Sequence, residues 1–206
     1  MEERYDSSDV QGVLHRPANP NQHGIVLAHG AGSNHNAPLL VTLARRFEEN
    51  GFTVLRYDLP FRRLGTKGPP MPAHQARDRE GIRAAVSAMR TIVTGTIVAG
   101  GHSYGGRQTA MAAAENPALA RSLLLLSYPL HPPNKPEQLR TSFFADLRTP
   151  ALFVHGTRDP FGTVDELRSH LGLIPAATEV IAVEGAAHDL KRAPAMFQQI
   201  LDRMLF

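Results

Sequence analysis

The hydrophobic residues of this chain fall into two kinds of stretch that alternate along its length. Short, continuous apolar runs are typical of strands buried on both faces of a sheet. Between them lie longer stretches in which apolar residues recur every three or four positions, as at 40, 43, 44 and 47, which indicates amphipathic helices. The predicted strands cover residues 10–15, 24–28, 52–57, 96–99, 122–126, 151–154 and 178–183. The predicted helices cover 40–49, about 73–90, 107–115, a short segment capped by Thr163 and Glu166, and 197–204.

This alternation predicts an α/β fold: a mostly parallel central sheet of about six to seven strands with helices on both faces. The polar, proline-rich stretches 61–72 and 128–135 are predicted to be irregular loops. Ligands of such sheets bind outside the carboxyl ends of the strands. Four loops at predicted carboxyl ends contain Ala31, Ser103, Asp159 and His188, so we expect the functional site there.

Length and composition narrow the class of protein. A chain of 206 residues fits a single domain, 1–206, with a substantial core. The absence of cysteine excludes disulfides, thiolate metal sites and a cysteine nucleophile. The first residues are charged and polar, unlike a signal peptide, and no apolar run is long enough to span a membrane. We therefore expect a cytoplasmic protein without a membrane partner.

The charge distribution argues against a nucleic-acid partner. The formal net charge is only +3, and 19 arginines against three lysines account for the high isoelectric point. The arginines are scattered along the chain rather than clustered with aromatic residues, as nucleic-acid binding would require. They are interpreted as an ordinary solvated surface, and the expected partner is a small-molecule substrate.

The stretch 100–106, Gly-Gly-His-Ser-Tyr-Gly-Gly, joins a predicted strand to a predicted helix and matches the pattern G-x-S-x-G. A serine squeezed into such a turn takes a strained backbone conformation, and glycines two residues away on either side let the backbone arms approach. Gly101 and Gly105 stand at those positions. The turn would hold the Ser103 hydroxyl at the sheet edge beside a helix N-terminus. A glycine-rich turn without chemistry is the alternative, because the pattern is short.

A serine hydroxyl needs a base to remove its proton, and a histidine base needs a carboxylate to orient it. Ser103, Asp159 and His188 follow the chain order nucleophile, acid, histidine, each after a predicted strand. The alternative for Asp159 is a turn residue before proline, and for His188 a surface histidine. Competing candidates are less well placed: Asp165 on a capped helix, His170 on a short helix, and His155 within a strand end.

An oxyanion formed at Ser103 would need two backbone N–H donors. The sequence predicts them at Tyr104, which opens the helix, and at Ala31, in the glycine-rich loop after the strand 24–28. His29 is interpreted as a structural residue whose side chain bonds this loop. His102 is expected to pack under the serine turn.

Arg107 follows Ser103 by one helical turn. A structural ion pair is the favoured interpretation, and a clamp for an acidic group of the substrate is the alternative. Arg62, Arg63 and Lys67, in the loop 61–72, are weaker candidates for substrate contact.

Five motifs are spread over nearly the whole chain: His29-Gly30-Ala31-Gly32, Arg56-Tyr57-Asp58, Gly101-His102-Ser103-Tyr104-Gly105-Gly106, His155-Gly156-Thr157-Arg158-Asp159-Pro160 and Gly185-Ala186-Ala187-His188-Asp189. Together they resemble the α/β-hydrolase superfamily, and within it a compact, dienelactone-hydrolase-like branch without a lid domain. The resemblance implies a serine hydrolase fold, a Ser-Asp-His triad and no cofactor or metal. Two departures stand out: dienelactone hydrolases use a cysteine nucleophile, and the start of this chain looks one or two strands short of an eight-stranded sheet. The stretch 128–140 also resembles a branch that includes subunits of chromatin complexes.

The function predicted from these observations is cleavage of a carboxylic ester or thioester with a small, exposed acyl group, through an acyl-enzyme. A non-catalytic binding or scaffold module on the same fold is the alternative, since fold alone does not determine function. A nucleotide-binding protein is excluded because the glycines match neither a P-loop nor G-x-G-x-x-G.

Overall fold

The computed structural model describes residues 1–65, 68–191 and 193–204. Within these ranges eight strands are found: β1 (Glu2–Asp6), β2 (Gln11–His15), β3 (Gly24–Ala28), β4 (Thr53–Tyr57), β5 (Ile97–His102), β6 (Ser122–Leu126), β7 (Ala151–Gly156) and β8 (Thr178–Val183). They form one sheet in the spatial order β1-β2-β4-β3-β5-β6-β7-β8. The pairs β1–β2 and β2–β4 are antiparallel, and the other five are parallel. The predicted mostly parallel sheet is confirmed.

The same ranges contain six α-helices: α1 (Pro38–Glu49), α2 (Pro60–Arg63), α3 (Gln75–Arg90), α4 (Tyr104–Glu115), α5 (Val164–Leu171) and α6 (Phe197–Arg203). Helices α1 and α6 share an apolar core with one face of the sheet, whereas α3, α4 and α5 pack on the other. Helices on both faces bury the strands on both sides, which explains their continuous apolar sequences. No helix in the described part is long and apolar enough to cross a membrane.

Strand β1 corrects the prediction of six to seven strands and the expectation that leading strands are missing. Its sequence is polar because it lies at the sheet edge, where its residues alternate between exposed and half-buried. Backbone pairing with β2 holds it in place. Ion pairs add to this pairing: Glu2 contacts Arg45 at 2.6 Å, and Glu3 contacts Arg16 at 2.7 Å. Such contacts leave no hydrophobic pattern by which the strand could be recognised.

The stretch 61–72, predicted as an irregular loop, begins with the short helix α2 and ends in a 3₁₀ turn at Pro72–His74 that leads into α3. Pro60 occupies the first turn of α2, where its missing N–H costs nothing. The buried Asp78 carboxylate accepts a hydrogen bond from the Phe61 N–H at 3.0 Å. A tertiary partner from α3 therefore stabilises a helical turn that the local sequence does not predict.

Candidate active site

Ser103 lies at the tip of the turn between β5 and α4, with φ 52° and ψ −117°. This left-handed conformation is strained for a residue with a side chain. The glycines around it allow close packing: a β-carbon at Gly105 would lie 2.5 Å from the His29 carbonyl oxygen. One at Gly101 would lie 2.5 Å from the Ala28 carbonyl oxygen. The Ser103 N–H donates to Leu126 O at 2.8 Å, which ties the turn to β6.

The structure brings the side chains of Ser103, His188 and Asp159 together. His188 Nε2 lies 2.7 Å from Ser103 Oγ. On the other side of the ring, His188 Nδ1 lies 2.8 Å and 3.0 Å from the two carboxylate oxygens of Asp159. The three residues come from loops after β5, β7 and β8 and converge because these strands are parallel neighbours or near neighbours.

The Asp159 side chain is fully buried, whereas that of His188 is 21% exposed. Burial alone would raise the pKa of Asp159, but the hydrogen bond and charge of His188 and the Phe161 N–H together lower it below its usual value. The carboxylate therefore stays ionised and accepts hydrogen bonds from both sides. A charged acceptor fixed in this way determines the orientation of the His188 ring.

The competing candidates lie in other environments. The Asp165 side chain is 93% exposed at the start of α5. His170 bonds the Glu166 carbonyl within its own helix, at 2.8 Å. His155 is buried and bonds the Gly162 carbonyl at 2.7 Å, while its distance to Asp159 is 3.8 Å. None of the three reaches the Ser103 hydroxyl.

Ala31 and Tyr104 line, together with Ser103, a cavity of about 260 Å³. Tyr104 is the first residue of α4, and the N–H of a first helical residue has no partner within the helix. In the loop carrying Ala31, His29 bonds the Gly30 carbonyl at 2.8 Å and accepts from the Leu59 N–H at 3.1 Å. The structural interpretation of His29 is therefore confirmed.

Two contacts of this region were not predicted. The Arg62 guanidinium donates to the Ala31 carbonyl at 2.9 Å, so this arginine supports the loop backbone. The Tyr104 hydroxyl donates to Asp78 at 2.6 Å. Burial and this hydrogen bond raise the pKa of Tyr104, while burial raises that of Asp78 against the effect of its hydrogen bonds. Nothing in the local sequence marks Asp78, because its partners lie on α2 and α4.

Two aromatic rings flank His188. The Phe161 ring lies 4.1 Å from the His188 ring, centroid to centroid, tilted by 31°. The centroid of the His102 ring lies 5.2 Å from that of His188, and His102 Nε2 lies 2.7 Å from the His188 carbonyl oxygen. This last contact ties the loop of His188 to the serine turn. Phe161 was missed by sequence reasoning, although its place two residues after Asp159 is a usable signal.

The other arginines take different positions. Arg107 lines the cavity beside Ser103, and its Nε is buried without a hydrogen-bond partner in the described part of the chain. No described carboxylate lies within 4.0 Å of it, so the favoured ion pair is not found among these residues. Arg63 turns away and bonds the carbonyls of Ser8, at 2.8 Å, and Asp9. Lys67 lies outside the described residues.

A family model described as an alpha/beta hydrolase domain matches residues 21–202. An α/β serine hydrolase without a lid, from Xanthomonas campestris, superposes with a TM-score of 0.78 at 19% identity, covering 100% of this chain and 94% of that one. A serine hydrolase homologue from Coxiella burnetii gives a TM-score of 0.76 at 17% identity, covering 100% and 97%. The dienelactone hydrolase of Anabaena variabilis gives 0.73 at 18% identity, covering 98% and 94%.

At these identities the likeness to solved structures shows a common fold. The family match is broader evidence, since it spans most of the sequence and includes all four loops at the carboxyl edge of the parallel strands. It agrees with the strand order and with the strained serine turn between β5 and α4. This chain belongs to the alpha/beta hydrolase domain family.

Proposed function

We propose that this protein is a serine hydrolase that cleaves a carboxylic ester or thioester of a small acyl group. The observation that carries the proposal is the continuous chain of short contacts from Ser103 Oγ through His188 to the buried Asp159 carboxylate. An unactivated serine is a poor nucleophile near neutral pH, and this arrangement supplies the base that it needs. The family membership supports hydrolysis as the reaction class.

The reaction has two halves. Ser103 Oγ attacks the carbonyl carbon while His188 Nε2 takes the hydroxyl proton, and the carbonyl oxygen becomes an oxyanion facing the N–H groups of Ala31 and Tyr104. When the tetrahedral intermediate collapses, the bond to the leaving alcohol or thiol breaks and His188 returns the proton to it. A water molecule then attacks the acyl-enzyme with His188 as base, which releases the carboxylic acid and restores the serine.

The size of the acyl group follows from the space beside Ser103. The cavity measures about 260 Å³, which suits a small group better than a long lipid chain. The segment between β6 and β7, where a lid would shield the site, contains one short 3₁₀ helix, Phe144–Asp146, within the described chain. Small or exposed acyl groups therefore fit this site best.

The decisive experiment is labelling with a fluorophosphonate probe, which reacts with activated serines. We expect the wild-type protein to be labelled and Ser103→Ala to be unlabelled, while Ser169→Ala, a control on α5, is labelled like the wild type. Hydrolysis of short-chain aryl esters and thioesters should fall by roughly 10⁵-fold or more in Ser103→Ala. Absence of labelling in the wild type, with no hydrolysis, would refute the proposal and favour a binding or scaffold module.

The acyl-size proposal has its own test. We expect kcat/KM for a series of aryl esters to be highest for short acyl chains and to fall as the chain outgrows the cavity. A rise in kcat/KM towards long chains would contradict it. The same series made as thioesters decides which of the two bond types is the better substrate.

A further inference from the structure

The cavity beside Ser103 contains two arginines from separate elements. Arg107 lies on α4, and Arg140 lies in the segment between β6 and β7. The Arg107 N–H donates to the Ser103 carbonyl at 2.9 Å, so the two residues are one helical turn apart. Because side chains on a helix tilt towards its N-terminus, the Arg107 side chain extends back towards the serine turn.

The two arginines have no carboxylate partner at this cavity, and the Arg107 guanidinium hydrogen-bonds only a neutral group, the Tyr128 hydroxyl, among the described residues. No acidic residue lines this cavity within the described ranges 1–65, 68–191 and 193–204. Arg107 Nε is buried without a hydrogen-bond partner there, and Arg140 Nη1 makes one long contact of 3.4 Å with the Pro129 carbonyl. Burial, together with the charge of Arg107, lowers the pKa of Arg140. The two cations therefore repel each other across this cavity.

The surrounding backbone holds Arg140 in this unfavourable position. Its N–H donates to the Leu130 carbonyl at 2.8 Å, and its own carbonyl accepts a hydrogen bond from the Tyr128 hydroxyl. Tyr128 is itself buried against Phe144 and Phe153. These hydrogen bonds hold the Arg140 backbone beside the cavity, which Arg140 lines together with Arg107.

We propose that this cavity binds a carboxylate of the substrate, close to the ester bond that Ser103 attacks. The proposal rests on the hydrolase function above and adds the substrate class, a monoester of a short dicarboxylic acid or an ester of a hydroxy acid. A planar carboxylate has two oxygens, each of which accepts from one guanidinium group.

The first test measures binding without reaction. In the Ser103→Ala variant, we expect isothermal titration calorimetry to show that monoethyl glutarate binds about 10- to 100-fold more tightly than its neutral amide analogue, ethyl glutaramate. Adding Arg107→Gln or Arg140→Gln should remove that difference, and Arg107→Lys should retain part of it. Arg121→Gln, which changes an exposed arginine just before β6, is the control and should bind like the parent. Thermal melting verifies that each variant is folded.

The second test measures turnover and locates the carboxylate. kcat/KM is compared for monoethyl glutarate and ethyl glutaramate, and for O-acetyl-3-hydroxypropanoate and its amide, which place the charge on the acyl and alcohol sides respectively. A preference of at least tenfold for the acid in either pair, lost in Arg107→Gln and Arg140→Gln, supports the proposal. Equal rates and equal binding of acid and amide would overturn it.

The two proposals fail in different ways. If the wild type is labelled by the fluorophosphonate but does not distinguish acid from amide, the substrate class is wrong and the hydrolase function stands. If Ser103→Ala binds the acid selectively but the wild type is never labelled, the carboxylate site stands and the hydrolase function fails.

Discussion

The Tyr104 hydroxyl donates a hydrogen bond to the Asp78 carboxylate at 2.6 Å, and this contact joins α3 to the first residue of α4. The other oxygen of Asp78 accepts from the Phe61 N–H on α2. Asp78 is fully buried, so it connects three helical segments at the point where the proposed oxyanion donor Tyr104 begins its helix. The relationship links the stability of the fold to the geometry of the site.

Removing the Asp78 side chain should therefore affect both the stability of the protein and its catalytic rate. We expect Asp78→Ala to lower the free energy of unfolding by about 1–3 kcal/mol, because a buried hydroxyl and a buried N–H lose their acceptor. We also expect a fall in kcat, since Tyr104 loses its anchor. Urea unfolding and steady-state kinetics measure the two effects.

The matched variant Tyr104→Phe removes the same hydrogen bond from the other side. A double-mutant cycle with Asp78→Ala should give a coupling energy of roughly 1 kcal/mol or more. Tyr5→Phe, on the edge strand β1, is the control. Additive effects of the two substitutions would show that the contact contributes nothing measurable.

Arg62 should act on the rate rather than on substrate binding. Its guanidinium donates to the Ala31 carbonyl and so supports the loop whose Ala31 N–H is the proposed oxyanion donor. We expect Arg62→Gln to lower kcat about tenfold with little change in KM, because an oxyanion donor acts mainly in the transition state. Arg63→Gln changes the adjacent residue, which bonds Ser8 and Asp9 instead, and should retain the wild-type kcat. An equal effect of both substitutions would rule out a specific role of Arg62.

Asp159 should contribute to activity and to the pH dependence of stability. Without its carboxylate the imidazole loses its orientation, so we expect Asp159→Asn to lower kcat by about 10⁴-fold. The exposed Asp165→Asn is the control and should retain activity.

The sign of the stability effect follows from the lowered pKa of Asp159 in the folded state. Its contribution is present above the ordinary carboxyl value of 3.8 and is lost as pH falls through the lower folded value. The wild type should therefore lose stability relative to Asp159→Asn as the pH falls from 3.8 through that lower value. The free energy of unfolding, measured as a function of pH for the wild type and for Asp159→Asn, tests this expectation. Parallel curves for the two proteins would contradict it.

His15 should produce a second pH dependence at higher pH. Its ring is buried, Arg56 Nε lies 2.8 Å from His15 Nε2, and Glu48 lies 2.9 Å from Nδ1. Burial, and then the charge of Arg56, lower the pKa of His15 from 6.5 to about 4. Between pH 6.5 and about 4, His15 takes up a proton in the unfolded chain but not in the folded protein. The free energy of unfolding therefore falls as the pH falls, by up to about 1.4 kcal/mol per pH unit.

A glutamine substitution tests this assignment. His15→Gln keeps one acceptor for Arg56 and one donor for Glu48 while removing the group that titrates. We expect the free energy of unfolding of this variant to vary less with pH between 4 and 6.5 than that of the wild type. An unchanged slope would assign the pH dependence to other groups.

The sequence alone predicted the fold class. It also predicted which residues the structure brings together around Ser103. Buried parallel strands require continuous apolar runs, and the serine turn requires glycines at fixed spacing, so both leave local signals. The order of Ser103, Asp159 and His188 along the chain is another such signal, because each follows a strand that ends at the same edge of the sheet.

The tertiary structure decided what depends on partners distant in the chain. Strand β1 is held by pairing and charge rather than by apolar burial, and α2 forms because Asp78 accepts its free N–H. The sequence does not show whether a carboxylate lies close enough to Arg107 to form the favoured ion pair. Only packing shows that this arginine and Arg140, 33 positions later, face one cavity without a described carboxylate. Periodicity records which side of an element is buried, whereas the partner of a buried charge is set by the three-dimensional arrangement of the loops.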